Sequence, residues 1–577
     1  MTALEAKQPL AIEQRQRRAD RRAFLVRRYG LRTLAVLGTA AVVLLLCWLI
    51  EGVGFGELLQ RIVGRGARIE ETDAGETLVG GPLSLGSVAL VAGWVGTWLT
   101  IGGVWLLRAV LRAPGTTMTL ARVTVDEALR TKVVTFVAIL LIVLLATLPL
   151  LSTDDSPLRY RVQTYLGYSL FLMTGLLTVV TCLYGCYTSA RDLEEQRAHE
   201  LFSKPVARGW YLLGKWIGVA GLNAVLIVAG ATMVAYVADV QFGSLGSVAE
   251  RSTDVYDREA VGEQVLVARG TAEPQPEVPF DQVAREALDR LAATDEDAYN
   301  DLINSRGGEA NALAEEVLRQ QAAWLRIPPG LAQRYTFTGL EGVESTGQQT
   351  IQLRYRPKVA NLERGTGITL VLEVAGEVRR LETSVDQTLV FPIPVRFIDE
   401  SGDLVMILGN PGDGPTQRPI QFEPGDLQVL YVVGGFTGNL ARAAALMWVR
   451  LAFLGMFAVV AGALMSMPVA MTVTGFAALI ATFGASLAGL LSSTRNLTGS
   501  QVVDAGYSAV VEVVILLTRL LSSYGEVGLG ALLADGRWVR GVDVLRTGGI
   551  VGLVWVGIVF LVGWALLSRR EIARVQV

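Results

Sequence analysis

The chain carries one histidine, His199, and three cysteines in 577 residues. A single histidine excludes histidine-based triads and metal centres built on several imidazoles. Cys47, Cys182 and Cys186 all fall in apolar runs, so the polar parts hold no thiol and no disulfide framework. Cys182 and Cys186 stand one helical turn apart with no neighbouring histidine or carboxylate, which fits small packing residues and not a metal site. The G-x-S-x-G elbow of the α/β-hydrolases is absent. The acidic run Asp295, Glu296 and Asp297 reads as a solvated helix start and not as a glycosidase pair. Asp399, Glu400 and Asp403 form a loop that could take calcium, though such loops are common in β-proteins without metal. One stretch, Gly209 to Lys215, spells G-x-x-x-x-G-K. Its next residue is Trp216 where a phosphate-binding loop needs serine or threonine, and no buried strand precedes it. No catalytic residue and no metal ligand is therefore expected, and the chain should not hydrolyse ATP by itself.

Charge is scarce too: 18% of residues are Asp, Glu, Lys or Arg, and the net charge is -3, which gives no reason to expect a nucleic-acid partner. Apolar residues make up 51% of the chain and the mean hydropathy is +0.43, too apolar for a soluble protein of this size. The chain reads as a polytopic α-helical membrane protein. Apolar runs at 34–50, 85–107, 133–151, 165–187, 216–237, 446–465, 469–491 and 549–567 give about eight spans, most about 20 residues long, the length that crosses a hydrocarbon core. The first run is read as an uncleaved span, since nothing after Ile50 supplies a small-x-small cleavage site. Residues 1–32 are basic, and Arg108, Arg112, Arg122, Arg130 and Lys132, then Arg569, Arg570 and Arg574, follow outward-to-inward spans. The positive-inside tendency therefore puts both termini in the cytoplasm. In the second of these loops, 118–132 has the helical spacing of an interfacial helix leading into the third span.

Between about 240 and 440 the composition becomes that of a water-soluble domain, extracytoplasmic by parity of spans. After an irregular Gly/Pro segment through Pro279, three helices are expected at 281–291, 295–303 and 309–324. Short β-rich runs follow at 334–338, 350–355, 367–374, 379–383, 387–391, 395–397, 404–408 and 427–433, so the domain is α+β and ends in a β-sandwich-like region. Later, Ala477, Ala481, Ala485 and Gly489 recur every fourth residue, a small-residue face that would pack a helix of the same subunit or of a second copy. Segment 503–535 is apolar but interrupted. Glu512 and Arg519 share a helical face there, either lining a substrate path or exit at membrane depth or lying in water on an interfacial helix. Helix pairs without buried charges are expected elsewhere, which fits a lipidic cargo slightly better than a small ion.

The most informative stretch is 189–218, SARDLEEQRAHELFSKPVARGWYLLGKWIG, a charged interruption between two spans. Pro205 should stop the acidic helix near Ser203, and Gly209 permits the turn into the next span. Lys204, Arg208 and Lys215 mark a cytoplasmic surface. The run Arg191-Asp192-Leu193-Glu194-Glu195, then Leu201-Phe202-Ser203-Lys204-Pro205-Val206-Ala207-Arg208 and Leu212-Leu213-Gly214-Lys215-Trp216, resembles the ABC-2 type permease subunits of ATP-binding cassette transporters. The likeness covers roughly 120–239 and 443–570. Ala207 stands where serine is commoner in that family, and His199 where a hydroxyl or apolar residue is frequent.

The resemblance implies an organisation into a basic N-terminus (1–32), two transmembrane helices added to the family core (33–117), and a first core half (118–239) with a coupling segment at 189–215. An extracytoplasmic domain (240–440) and a second core half (441–577) would follow, the latter with a re-entrant or interfacial segment (503–535) and a last span (549–567). It implies that Arg191, Glu194, Glu195, Leu201, Phe202, Pro205, Arg208, Gly214 and Lys215 couple to a separate ABC ATPase subunit, which would hold ATP and Mg while this chain binds no cofactor. It further implies a homodimer or permease pair, surrounded by membrane lipids, exporting a substrate across the cell inner (cytoplasmic) membrane. The rival expectation is a membrane-anchored receptor or cell-envelope assembly protein whose external domain binds a ligand or partner.

Overall fold

The computed structural model describes residues 34–53, 55–62, 68–72, 75–79, 83–151, 158–195, 207–242, 261, 265–306, 308–341, 343, 349–412, 417–493 and 529–569. They divide into two compact units. One joins the chain before Val267 to Phe436–Asp535 and everything after Trp538, and the other comprises Val267–Gly435 with Gly536–Trp538.

The first unit is helical. In order it contains α1 (Leu34–Glu51), α2 (Phe55–Ile62), a hairpin of β1 (Arg68–Thr72) and β2 (Gly75–Val79), α3 (Leu85–Val110), α4 (Thr116–Arg130), α5 (Val133–Thr147), α6 (Leu158–Glu194) and α7 (Arg208–Phe242). Ser84 caps α3, its hydroxyl accepting from the Ser87 N–H at 3.3 Å while Glu51 Oε1 accepts from the Ser84 N–H at 2.7 Å. The turn from α4 into α5 puts Lys132 in the left-handed region, φ 61°. α6 and α7 run 37 and 35 residues, and at 1.5 Å per residue each exceeds a roughly 30 Å hydrocarbon core by several turns. Their polar ends, Tyr187 to Glu194 on α6 and Arg208 to Lys215 on α7, are continuous with the apolar spans.

The second unit begins with β3 (Val267–Ala272) and β4 (Pro274–Gln275), then α8 (Phe280–Thr294), α9 (Glu296–Arg306) and α10 (Glu309–Trp324). β5 (Arg326–Ile327), β6 (Ala332–Phe337), β7 (Thr350–Tyr355), β8 (Lys358–Val359), β9 (Gly367–Val374), β10 (Glu377–Ser384), β11 (Leu389–Pro394), β12 (Leu404–Gly409), β13 (Ile420–Gln421) and β14 (Leu427–Gly435) follow. A five-stranded sheet has the order β10-β9-β12-β6-β4, a four-stranded one β11-β7-β14-β3, and a small third sheet β5-β13-β8. The strand pairs are antiparallel. Strict alternation in β7, β9 and β12 turns every second residue inward. Ile351, Leu353 and Tyr355 from the four-stranded sheet thereby meet Leu370, Leu372, Met406 and Leu408 from the five-stranded one in a single core. Trp324 joins the helices to it, edge-on to Phe280 at 5.5 Å and to Tyr335 at 5.0 Å.

Two details differ from expectation. Val395–Phe397, expected as a strand, is a 3-10 turn entered from Pro394, whose ring supplies no N–H to continue a ladder. β3 and β4 lie where an irregular segment was expected, because Arg269 and Gly270 break the apolar alternation that announces a strand. Arg269 is nonetheless buried, donating to Gln352 Oε1 at 2.6 Å. In the Asp399 loop the carboxylate accepts from the Ser401 hydroxyl and N–H and the Asp403 N–H, which holds it below its ordinary pKa, the Ser401 hydroxyl contributing most.

β14 runs directly into α11 (Phe436–Leu464), which returns the chain to the first unit, followed by α12 (Met467–Ser493), α13 (Leu529–Ala534) and α14 (Gly541–Arg569), whose Gly548–Trp555 stretch is π-helical. Pro468 sits in the first turn of α12, where its missing N–H costs nothing. Among the described residues seven helices, α1, α3, α5 with its 3-10 extension to Leu151, α6, α7, α11 and α14, are long and apolar enough to cross a membrane. Met467–Thr482 of α12 is a shorter apolar stretch. The architecture is that of a polytopic helical membrane protein with a sheet domain inserted between two of its long helices.

Candidate functional site: a buried charge cluster joining α4, α6 and α7

The site is built on glycine. Gly214 and Gly218 lie one turn apart on α7, and a Cβ at Gly214 would stand 2.6 Å from Leu120 Cβ, one at Gly218 2.7 Å from Thr124 Cβ. Without those carbons α4 lies directly on the α7 backbone. That approach buries Ala121, Thr124, Val125 and Ala128, so α4 is a packed helix and not one resting only on an interface. The same face of α4 ends in Glu127, which thereby reaches the start of α7.

α6 supplies a polar stripe at four-residue intervals, Tyr184, Thr188 and Asp192. The Tyr184 hydroxyl donates to the Thr124 carbonyl. Lys215, 2% exposed, points inward from the second turn of α7. Its ammonium lies 2.7 Å from Asp192 Oδ2, donates to the Thr188 carbonyl and hydroxyl at 3.0 Å each, and stands 3.7 Å from Glu127 Oε2. The Tyr211 hydroxyl donates to Asp192 Oδ2 at 3.1 Å, and the Thr188 hydroxyl to Glu127 Oε2 at 3.4 Å. Arg191 closes the circuit, 3.9 Å from Glu127 Oε1, donating to Glu195 Oε1 at 2.5 Å and to the Tyr187 hydroxyl. Two cations thus meet the buried carboxylate of Asp192 and the partly buried one of Glu127. These groups wall a cleft of about 840 Å³ whose other side is Met467 and Met471 of α12.

The cluster contains no activated nucleophile and no paired acid and base aimed at a common atom. Mechanically, though, it is a joint. The opposite charges of the buried Lys215 and Asp192 attract more strongly than a surface pair, so α6 and α7 separate there only by pulling them apart, with Glu127 of α4 beside them. A second tie acts at the same end: the Arg208 guanidinium donates to the carbonyls of Leu567 and Ser568, holding the start of α7 to the end of α14. Further along, the Trp216 indole donates to the Ala452 carbonyl at 2.7 Å, the Trp448 indole to the Ala220 carbonyl at 3.0 Å, and Asn223 to the Thr181 hydroxyl at 2.8 Å.

Of the residues singled out from the sequence, Arg191, Gly214 and Lys215 come together here, and Arg208 lies on the adjoining tie. Glu194 and Glu195 are exposed at the end of α6. Leu201, Phe202 and Pro205 lie outside the described residues, as do Glu512 and Arg519. Ala477 is half-buried and Ala481 buried on α12, while Ala485 and Gly489 continue that helix. The expectation of helix pairs without buried charges is overturned: Lys215, Asp192 and Arg161 are buried, and Arg450 is half-buried midway along α11. The reason is that a few buried polar residues in a long apolar helix barely change its average hydropathy, which conceals them. Glu127, Asp192, Thr188 and Tyr211 were not singled out from the sequence. The four-residue spacings of Tyr184, Thr188 and Asp192 and of Gly214 and Gly218 were the signals available.

No family model matches the chain, and neither a curated protein nor a solved structure is similar to it.

Proposed function

We propose that this chain is the membrane-spanning subunit of an ABC-2 type ATP-binding cassette exporter, worked by a separate ATPase subunit. The observation that carries the reading is the cluster of the buried Lys215 and Asp192 with the partly exposed Glu127 and Arg191. It makes the two helices that flank segment 196–206 and the amphipathic helix α4 into one mechanical element, at the end of the helices where the likeness to the permease coupling segment lies. A push on the exposed end of α6 at Glu194 and Glu195 is then delivered to α4 and α7 together, and through Arg208 to α14. Transport follows if the ATPase dimer favours one arrangement of these helices and the cargo binds the two arrangements unequally. In this reading the chain itself holds no nucleotide, works as a permease pair in the cell inner membrane with both termini cytoplasmic, and carries its sheet domain outside.

The test is affinity purification of the detergent-solubilised chain from its own host, with the charge-reversed variant Glu194→Arg as comparison. The wild type is expected to bring down an ATPase with nucleotide turnover, and the variant, melting at the same temperature, to lose it. If the wild type brings down no nucleotide-binding protein, the transporter reading is overturned in favour of a receptor or assembly protein acting through the sheet domain.

A further inference from the structure

A groove of about 820 Å³ runs along α3 between α1, α4, α5 and α7, on a different lining from the charge cluster and independent of the transport reading. Its lining is apolar almost throughout: Val36 of α1, Trp98, Gly102 and Trp105 of α3, Ala138 of α5 and Leu226 of α7. α1 forms its outer wall, fixed by the Trp94 and Trp98 indoles, which both donate to the Thr39 hydroxyl, at 3.2 and 3.1 Å. The contrast between neighbouring glycines on α3 shows how the hollow arises. A Cβ at Gly103 would stand 2.7 Å from Val225, where α3 and α7 touch, whereas a Cβ at Gly102 meets nothing within 4 Å. Gly102 therefore faces open space in a wall that is otherwise large and apolar.

One cation stands at the end of this groove. Trp98, Ile101, Gly102, Trp105 and Arg108 all line it from one face of α3, and the ten residues from Trp98 to Arg108 rise about 15 Å, roughly the depth of one leaflet of hydrocarbon. Arg108 lies two residues before the end of α3, where an apolar helix leaves the hydrocarbon. Asp126 of α4 orients its guanidinium, with Oδ1 2.7 Å from Nε and 2.5 Å from Nη2. Nη1 has no partner among the described residues. Arg112, four residues beyond Arg108, and Arg122, one turn from Asp126 on α4, are both exposed and add positive charge at the ends of the elements that carry this pair. A groove with one leaflet's length of apolar wall and a net positive mouth is complementary to one molecule: a lipid with a negatively charged phosphate headgroup.

We propose that this groove binds an anionic phospholipid, one acyl chain lying along Trp98, Gly102 and Trp105 and the phosphate resting on the outer nitrogens of Arg108. The neutral-headgroup lipid of equal chain length lacks the net charge that the mouth selects for.

The test uses the full chain in detergent with phosphatidylglycerol or phosphatidylcholine of identical chains, read by native mass spectrometry and by melting temperature. The wild type is expected to retain one phosphatidylglycerol per chain in preference to phosphatidylcholine, and to be stabilised more by the former. Arg108→Gln should reduce that preference about tenfold, the effect of losing one charged hydrogen bond. Gly102→Leu, whose side chain enters the hollow without touching the Arg108–Asp126 pair, should abolish retention of both lipids while melting at the wild-type temperature without lipid. Equal retention of the two lipids by the wild type, or undiminished phosphatidylglycerol retention by Gly102→Leu, would overturn the assignment. Displacement of the lipid by millimolar inorganic phosphate would overturn it as well, by assigning the binding to the headgroup alone.

Discussion

Lys215 shows what a single residue contributes to this structure. Read from the sequence it is one of three cations at a membrane surface; in the fold it is buried with Asp192 and Glu127. The difference is physical: charge and spacing locate a residue along a helix, but only the close approach allowed by Gly214 and Gly218 decides whether its side chain meets water. A buried ion cluster is weak evidence of stability but is costly to break one member at a time. Lys215→Met leaves the two carboxylates without their shared cation and should destabilise the first unit by about 3–5 kcal/mol. In Lys215→Met, Asp192→Leu the more buried of the two orphaned carboxylates is also gone while Glu127 keeps Arg191 at 3.9 Å, and much of that loss should return. Melting in detergent decides the matter. Equal losses in the single and double variants would mean that the cluster is a solvated surface group of charges. Should the wild type bring down an ATPase and the double variant regain stability without doing so, the cluster transmits force and does more than pack.

At the scale of elements, the long helices were the most legible feature, because a run of about 20 apolar residues has few alternatives to a membrane span. Their ends were not. Apolar runs at 165–187 and 216–237 give the middle of α6 and α7, yet the helices extend to Leu158–Glu194 and Arg208–Phe242. Polar residues continue a helix as readily as apolar ones wherever a neighbour holds them, and α4 is that neighbour. The sheet strands were legible wherever one face was uniformly apolar, as in β7 and β9, and lost where a buried arginine interrupts, as in β3.

The packing of α4 on α7 yields a prediction with opposite signs at two kinds of glycine. Gly218→Val puts branched carbons into Thr124 and the Ala121 carbonyl and should cost about 1–3 kcal/mol through overpacking. Gly175→Ala on α6, where an added Cβ meets nothing within 4 Å, should instead leave stability unchanged or raise it by up to about 1 kcal/mol through helix propensity. Thermal melting of the two variants against wild type measures both. A harmless Gly218→Val would mean that α4 is not held against α7.

At the scale of the whole molecule, the sheet domain is not a simple insertion, because it takes one piece of itself from far along the chain. Gly536–Trp538, just ahead of α14, lies along the free edge of β3: the Arg269 N–H donates to the Gly536 carbonyl and the Trp538 N–H to the Arg269 carbonyl, each at 2.7 Å, in a parallel bridge. Arg537 adds a bond to Gln428 Oε1 on β14. This covers an edge that would otherwise expose unpaired backbone groups. No local pattern announces three residues as a strand, so the contribution was illegible in the sequence. On the helical side of the same crossing, the Val539 N–H donates to Asn439 Oδ1 at 2.8 Å, tying the residue that leaves the sheet domain at one point to the start of α11, where the chain leaves it at another. Both residues belong to the first unit, so the bond ties the start of α11 to the segment ahead of α14 within it. Trp538→Pro removes the donor to Arg269 and one of the two backbone bonds of the bridge. Hydrogen exchange should then show the Arg269 amide and its β3 neighbours losing about tenfold protection, as expected for the loss of one such bond, with the amides of β9 and β12 unchanged. Unchanged protection at Arg269 would show that β3 is held by β14 alone.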